Sequence, residues 1–583
     1  MSKIFASCMM SLILFGLVAC GGGSGTPTPT PTPTPVPTAT PTPTPAAVSV
    51  TPASATVALN GSQQFTAAGA ATPVTWTLTG PPGTTLGTLS TTGLYFAPSG
   101  FAPVNTFTAT VTATSIADTT KTATSSLSVV YQNHNNATQT TLPIKLGSVG
   151  ENLLDTSPGG CCVGTLGSLI ARGASNFILS NNHVLARSDL GANGEAINQT
   201  RSCGAGTPVG TLAGHSVLKP VANDAIGCVQ PTTATLCGLA PDNVDAAIST
   251  ANGNVDTIGT ILELGAATST DIGDLPPSSN LGLASPADGF PVAKSGRTTG
   301  LTCSTIVAFS GTIAVDYDAS CGGATAFQSH YNNQISVRGG SFIQPGDSGS
   351  LLVERDTARP LGLLYAGGSS SAIANPIRDV LAVLNARTSA GLGLIANNPD
   401  HAVSCQQTAV IANSKVLGAT QAQVAATAAT LSDQQRQAAN AVRDKHAVML
   451  MSDEAVRSVT IGASADNPKE PAVLVEISAA PRQPIPAVLD GVRTRVVYTA
   501  GSVIDTSLSD QLLRSTVNVK EAHVNQYFGK QGIRGVAVGR SDDNPSETAI
   551  IFFTTTGVPN TIVPPVIDGV RTKIIEGTPF RAF

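Results

Sequence analysis

Pro345-Gly346-Asp347-Ser348-Gly349-Ser350 is the stretch that decides how this chain of 583 residues folds. A serine hydroxyl acts as a nucleophile where a tight turn aims neighbouring backbone N–H groups at one point, the place where a tetrahedral oxyanion forms. Gly346 and Gly349 flank Ser348 and permit such a turn. The order Gly-Asp-Ser-Gly differs from the Gly-x-Ser-x-Gly elbow. Alone it is a turn that many proteins contain, so its partners decide its meaning.

One partner lies upstream. Phe177-Ile178-Leu179-Ser180 has the character of a strand, and Asn181-Asn182-His183-Val184 follows at its end. A general base must be held rigidly yet reach the nucleophile, and a strand-end histidine suits that task. His134, His215, His330, His401, His446 and His523 lack this context. No His-Glu-x-x-His and no spaced Cys/His cluster occurs, which argues against a zinc peptidase. The third member is a carboxylate that orients the imidazole. Asp224, in Asn223-Asp224-Ala225-Ile226, competes with Asp245, in Asn243-Val244-Asp245-Ala246-Ala247-Ile248. Spacing does not separate the two. Either gives the chain order His, Asp, Ser.

Leu179-Ser180-Asn181-Asn182-His183-Val184, Ser295-Gly296-Arg297-Thr298-Thr299-Gly300 and Gly346-Asp347-Ser348-Gly349-Ser350 together resemble the trypsin-like (chymotrypsin-fold) serine peptidases. The resemblance is to the bacterial branch related to the plant narrow-leaf-type proteases. It implies two six-stranded antiparallel barrels with the active site between them. In that branch the Asp is usually followed by Ala-Ala-Ile, which favours Asp245 over Asp224. The implied roles are His183 as base, Asp245 as its orienter, Ser348 as nucleophile, and the N–H groups of Gly346 and Ser348 as oxyanion hole. The resemblance also implies a primary pocket floored by Phe342 and walled by Leu364-Tyr365-Ala366-Gly367-Gly368. No acidic residue stands there, which disfavours Lys or Arg substrates. Arg297 reads as a turn residue between strands ahead of a pocket residue. No Cys stands directly after His183, where vertebrate trypsins have one, a departure that bears on disulfides and leaves the triad intact.

Charge is sparse, at 11 % of residues, and uneven. Ile4 to Ala117 contains no Asp, Glu, Lys or Arg, whereas the last 153 residues hold 32. A net charge of −5 without a basic run excludes a nucleic-acid partner on electrostatic grounds. Met9–Val18 is an apolar run too short for a span of about 20 residues. It ends in Leu17-Val18-Ala19-Cys20, which resembles the bacterial lipoprotein box, so residues 1–19 are expected to be a signal and Cys20 the lipidated N-terminus. That implies an exported lipoprotein of the cell envelope, at the outer membrane or cell surface. Residues 20–45 follow as a Thr-Pro stalk in polyproline II form. Residues 46–131 alternate as short strands around Trp76, and Gly87–Tyr95 resembles a turn of bacterial immunoglobulin-like domains of group 2, which act as spacers.

Ten cysteines agree with export. Cys228–Cys237 and Cys303–Cys321 are local pairing candidates, with Cys161, Cys162, Cys203 and Cys405 left in open connectivity. Beyond an Ala-rich connector over 393–430, residues 431–583 contain a duplication. Asp466-Asn467-Pro468 recurs as Asp543-Asn544-Pro545, and Asp490-Gly491-Val492-Arg493-Thr494 as Asp568-Gly569-Val570-Arg571-Thr572. Each copy reads as a helix (432–451, 509–528) and about three strands, an α+β unit suited to pseudo-symmetric packing. Docking, self-association, or cover for the peptidase cleft are its candidate roles, beside a purely structural one.

The fold expected is thus multidomain and mainly β: an immunoglobulin-like sandwich, a double β-barrel over 140–392, and the duplicated α+β domain. The function expected is a surface-tethered serine endopeptidase with a protein or peptide substrate and no cofactor. The alternatives are a non-catalytic scaffold on a peptidase-like fold and a peptidase that processes its own chain.

Overall fold

The computed structural model describes residues 48–403 and 431–582, apart from short stretches at 59–61, 70–73, 83, 85, 99–106, 117, 131–135, 137–140, 156–162, 203–204, 222–235, 266–272, 287, 319–323, 340–341, 390 and 500–503. The expected signal, Cys20 and the stalk lie outside the described residues. So do Asp224, Cys161, Cys162, Cys203, Cys228, Cys321 and Cys405. Cys237 and Cys303 each take part in a disulfide.

Alternation builds the first unit. From Ala109 the strand Phe107–Ser115 buries every second residue. It lies between Val74–Thr79 and Thr122–Val130, and Ser54–Ala58 completes the four-stranded sheet. Ser62–Gln64, Leu94–Phe96 and Thr88–Leu89 form a second sheet, and both share a core of Phe65, Tyr95, Val111 and Leu127. Trp76 is half-buried at the side of that core, not inside it. Its ring lies where a Cβ on Gly93 would fall, 2.9 Å away, and Gly93 has φ +81°, so the turn accepts only glycine there.

The second unit is two closed barrels. In the first, Gly164–Thr165 and Ser168–Arg172 are halves of one bent strand. One half pairs with Val149–Asn152 and the other with Ser175–Ser180 (β1). Ala196–Ser202, Ala205–His215 and Ala247–Thr250 (β2) complete the antiparallel ring. A four-residue helix, Asn182–Leu185 (α1), follows β1 directly. The second barrel comprises Pro291–Gly296 (β3), Gly300–Asp318 (β4), Thr325–Arg338 (β5), Leu351–Glu354 (β6), Pro360–Gly367 (β7) and Ser371–Pro376 (β8). Its strands close in the order β3-β4-β5-β8-β7-β6 and back to β3. The helix Ile377–Thr388 (α2) then buries Ile377, Val380 and Leu384 in the core cluster that holds Leu169, Ile178 and Leu212 of the first barrel.

Residues 393–403, placed in the connector on composition, belong to this body. Gly393–Leu394 pairs with Ile170–Ala171, Arg359 meets Asp400 at 2.5 Å, and Val403 is buried.

The third unit is the duplication. Asp433–Met451 (α3) is capped by Ser432, whose hydroxyl accepts from Gln435 N–H while the Gln435 side chain takes the Ser432 N–H. Val456–Ala463 (β9), Pro471–Ile477 (β10) and Val492–Tyr498 (β11) follow. The second copy repeats this with Asp510–Tyr527 (α4), capped by Ser509, then Ile533–Arg540 (β12), Thr548–Thr555 (β13) and Val570–Gly577 (β14). In both, the first two strands are antiparallel and the third is parallel to the second. A last short strand, Phe580–Ala582 (β15), follows two residues after β14.

The repeated motifs interlock the copies. Arg493 reaches Thr572 O and Arg571 reaches Thr494 O, each at 2.7 Å. Ser541 donates to Asp466, and Ser464 to Asp543, each at 2.5 Å. The second copy also pairs β12 antiparallel with β4, so its sheet continues the second barrel's.

Candidate active site

His183 stands on α1, where β1 ends at Ser180 and the chain turns. Asp245 lies two residues before β2, the strand that pairs with β1, so the first barrel brings the two together. His183 Nδ1 and Asp245 Oδ2 are 2.6 Å apart, with Asp245 fully buried and His183 9 % exposed. A buried carboxylate survives only where donors satisfy it. Here Asn182 N–H donates to Oδ1 at 2.7 Å, His183 N–H to the same oxygen at 3.3 Å, and Tyr317 OH to Oδ2 at 2.8 Å. Asn181 Nδ2 holds the Asp245 carbonyl at 2.7 Å. The Asp245 N–H donates to Asn375 Oδ1 at 2.8 Å, which ties Asp245 to the second barrel.

Tyr317 had no signal in the sequence. It comes from β4, 72 residues beyond Asp245, and passes the contact on to Tyr331 OH at 2.6 Å. Burial, with the Asp245 charge next, pushes the Tyr317 phenol well above its ordinary range, so it stays a donor to the carboxylate.

Ser348 comes from the second barrel, on the turn that enters β6. Gly346 has φ +98° and Gly349 φ +93°. A Cβ at Gly349 would lie 2.2 Å from Ser180 Oγ and 2.4 Å from Thr165 O, so the turn abuts the end of β1. Asp347, fully buried beneath it, accepts from the N–H groups of Thr298 (2.8 Å), Thr299 (3.1 Å) and Gln344 (3.0 Å). It also accepts from Thr299 Oγ1 at 2.6 Å, and Lys294 Nζ stands 3.3 Å away. Burial pulls the Lys294 ammonium down and the Asp347 charge pushes it back up. Ser295–Gly300 is therefore a brace for the Ser348 turn. Arg297 belongs to it: its N–H donates to Thr165 Oγ1 at 3.0 Å, and its Nη1 would lie 2.5 Å from a Cβ on Gly346.

Within the turn, Asp347 N–H donates to Gln344 O and Gly349 N–H to Leu364 O, both at 2.9 Å. Among the described residues, the N–H groups of Gly346 and Ser348 donate to no carbonyl. Ser348 is fully buried, and its hydroxyl donates to Tyr365 O at 3.2 Å. The two barrels meet at Gly164-Thr165. A Cβ on Gly164 would lie 2.4 Å from Val184, next to His183, and 3.0 Å from Ser348 O. Phe342 packs in the second barrel's core with Val292, Ile306 and Leu352.

No family model and no curated protein matches the chain. Among solved structures it is similar to protease A of Thermobifida fusca, at 16 % identity and a TM-score of 0.27. That match covers 44 % of this chain and 99 % of that one. It is also similar to an alpha-lytic protease homolog, N4, at 17 % identity and a TM-score of 0.27, covering 43 % and 98 % of the two chains.

Proposed function

We propose that the chain is a serine endopeptidase that works by acyl transfer and is tethered to the cell envelope through a lipid on Cys20. What supports the chemistry is the convergence of a buried His183–Asp245 pair from one barrel and the braced Ser348 turn from the other on Gly164-Thr165. Rotation about χ1 turns Ser348 Oγ from Tyr365 O toward His183. Oγ then attacks the peptide carbonyl carbon while His183 Nε2 takes its proton, and Asp245 holds the Nδ1–H tautomer. The oxyanion is received by the N–H groups of Gly346 and Ser348, each worth roughly 2.7–4 kcal/mol. When the C–N bond breaks, the amine leaves with the proton from His183, and water repeats the sequence on the acyl-enzyme. A scaffold on a decayed fold would have no need of Tyr317 and Asn182 to hold Asp245 against His183.

The test is Ser348→Ala. Fluorophosphonate labelling, mapped by mass spectrometry to Ser348 in the wild type, should vanish, and casein cleavage should fall by about 10³-fold or more. Equal casein cleavage by both proteins overturns the reading.

A further inference from the structure

An extended substrate must meet Ser348 by adding to a strand edge, since main-chain pairing is how a sheet holds a peptide without regard to sequence. The edge beside Ser348 belongs to β7. Its far edge is taken by β8 along its length, through Gly362↔Pro376 to Gly367↔Ala372. Its near edge pairs with β6 only as far as Leu364, which bonds Gly349 and Ser350. From Tyr365 onward β6 has turned away into the nucleophile loop, leaving Tyr365-Ala366-Gly367 to another strand. Ser348 Oγ bonds Tyr365 O, so the nucleophile is level with Tyr365.

That edge is occupied by the chain itself. β15 pairs antiparallel with it, Arg581 opposite Gly367 and Ala582 opposite Ala366. The strand therefore runs toward the Tyr365 end of that edge, where Ser348 stands. It is firmly held. Arg581 meets Asp318 at 3.1 Å, and Phe580 is buried against Phe553, with ring centroids 5.5 Å apart. Thr578 and Ser369 exchange two hydrogen bonds of 2.9 Å at the β7–β8 turn. β14 delivers β15 from a sheet already paired to β4, so its effective concentration at the edge is far above that of any free peptide.

We propose that β15 is an intramolecular inhibitory strand: Phe580-Arg581-Ala582 occupies the edge of β7 on which a peptide substrate must pair, and the site stays closed until that strand is displaced. The proposal rests on the peptidase reading above. It gives the docked second repeat a purpose, which is to hold β15 in register.

Three proteins test it: the full chain, a chain ending at Gly577, and Arg581→Asp, which sets a carboxylate against Asp318. Fluorophosphonate labelling rates at Ser348 and initial rates on a peptide substrate are measured, with thermal unfolding as a check on folding. Both variants should label and cleave at least about tenfold faster than the full chain. A synthetic peptide of residues 578–582 should inhibit the shortened chain competitively and leave the full chain unaffected. Equal labelling of Ser348 in all three overturns the inhibitory strand and leaves the peptidase standing. Ser348 unlabelled in all three, with folding intact, overturns the peptidase reading and the inhibition with it.

Discussion

β9 and β12 are the same strand of the duplicated unit, yet one borders solvent and the other is built into a barrel sheet. In β9, Val456-Arg457-Ser458-Val459-Thr460-Ile461-Gly462-Ala463, only Val456, Gly462 and Ala463 are buried. In β12, Ile533-Arg534-Gly535-Val536-Ala537-Val538-Gly539-Arg540, every residue but the last is buried. The changes are small and steric. Gly535 stands where copy one has Ser458, and a Cβ there would fall 2.7 Å from Ile313 of β4. Ala537 replaces Thr460. Gly539, matched by Gly462, lies where a Cβ would meet Val307 O at 2.4 Å. Trimming the side chains let one copy's backbone reach β4. Duplication supplied the two-fold platform, and these residues decide which copy docks.

The arginine at the second position breaks the comparison most severely. Arg457 is exposed and bonds Ser478 Oγ at 2.8 Å. Arg534 is buried against Asp316 of β4 at 3.1 Å, with both side chains under a tenth exposed. Removing one partner of a buried pair strands the other charge, a loss of about 3–5 kcal/mol. Arg534→Ala should cost that in chemical denaturation, whereas Arg457→Ala should stay within about 0.5 kcal/mol. Equal costs would mean that the docked pair contributes no more than the exposed one.

Exchange of the third residue is the next largest. Gly535→Ser installs copy one's residue in copy two and should destabilise by about 1–3 kcal/mol through overpacking against Ile313 and Phe553. Ser458→Gly makes the reverse change on the undocked strand, where the hydroxyl bonds Glu476 at 2.6 Å, and should cost about 1 kcal/mol. If Gly535→Ser proved neutral, close backbone approach would not be what selects the docked copy.

These contrasts also mark where sequence is informative. The Ser348 turn and the strand-end His183 were legible because their signals are local: glycines beside the serine, an apolar run before the histidine. The structure adds a cap to the first helix: Ser432 and Gln435, three apart, bond each other's backbone. Tyr317 and Asn375 were silent, since each reaches the site from a part of its strand far from any motif, and Lys294 stands one residue before a motif that does not include it. Asp224 and Asp245 looked alike in sequence, and only the pairing of β1 with β2 brings Asp245 to His183. The docking of one repeat was hidden because β9 and β12 share the alternation of a half-buried strand. What separates them is the shape of β4, more than 200 residues earlier.

A pH dependence tests what the copies share. Asp466 and Asp543 are buried at the pseudo-dyad, where each accepts from a serine of the other copy, Ser541 or Ser464. Burial is the main cause that pushes the Asp466 carboxyl up, to about 7, and the Asp543 charge adds to it. Asp543 is also raised, again by burial first. A folded value above the unfolded one of about 3.9 means that the native state binds the extra proton. Stability from this pair is thus fully present below about pH 4, is lost as pH rises toward 7, and stays lost above it. Tm should therefore fall between about pH 4 and pH 7, and Asp466→Asn, which keeps the shape without the titration, should flatten that slope. An unchanged slope in Asp466→Asn would place the titration elsewhere. Because the two sites exchange equivalent bonds, Asp543→Asn should flatten it as well, and a markedly unequal response would show that the platform is less symmetric than its motifs.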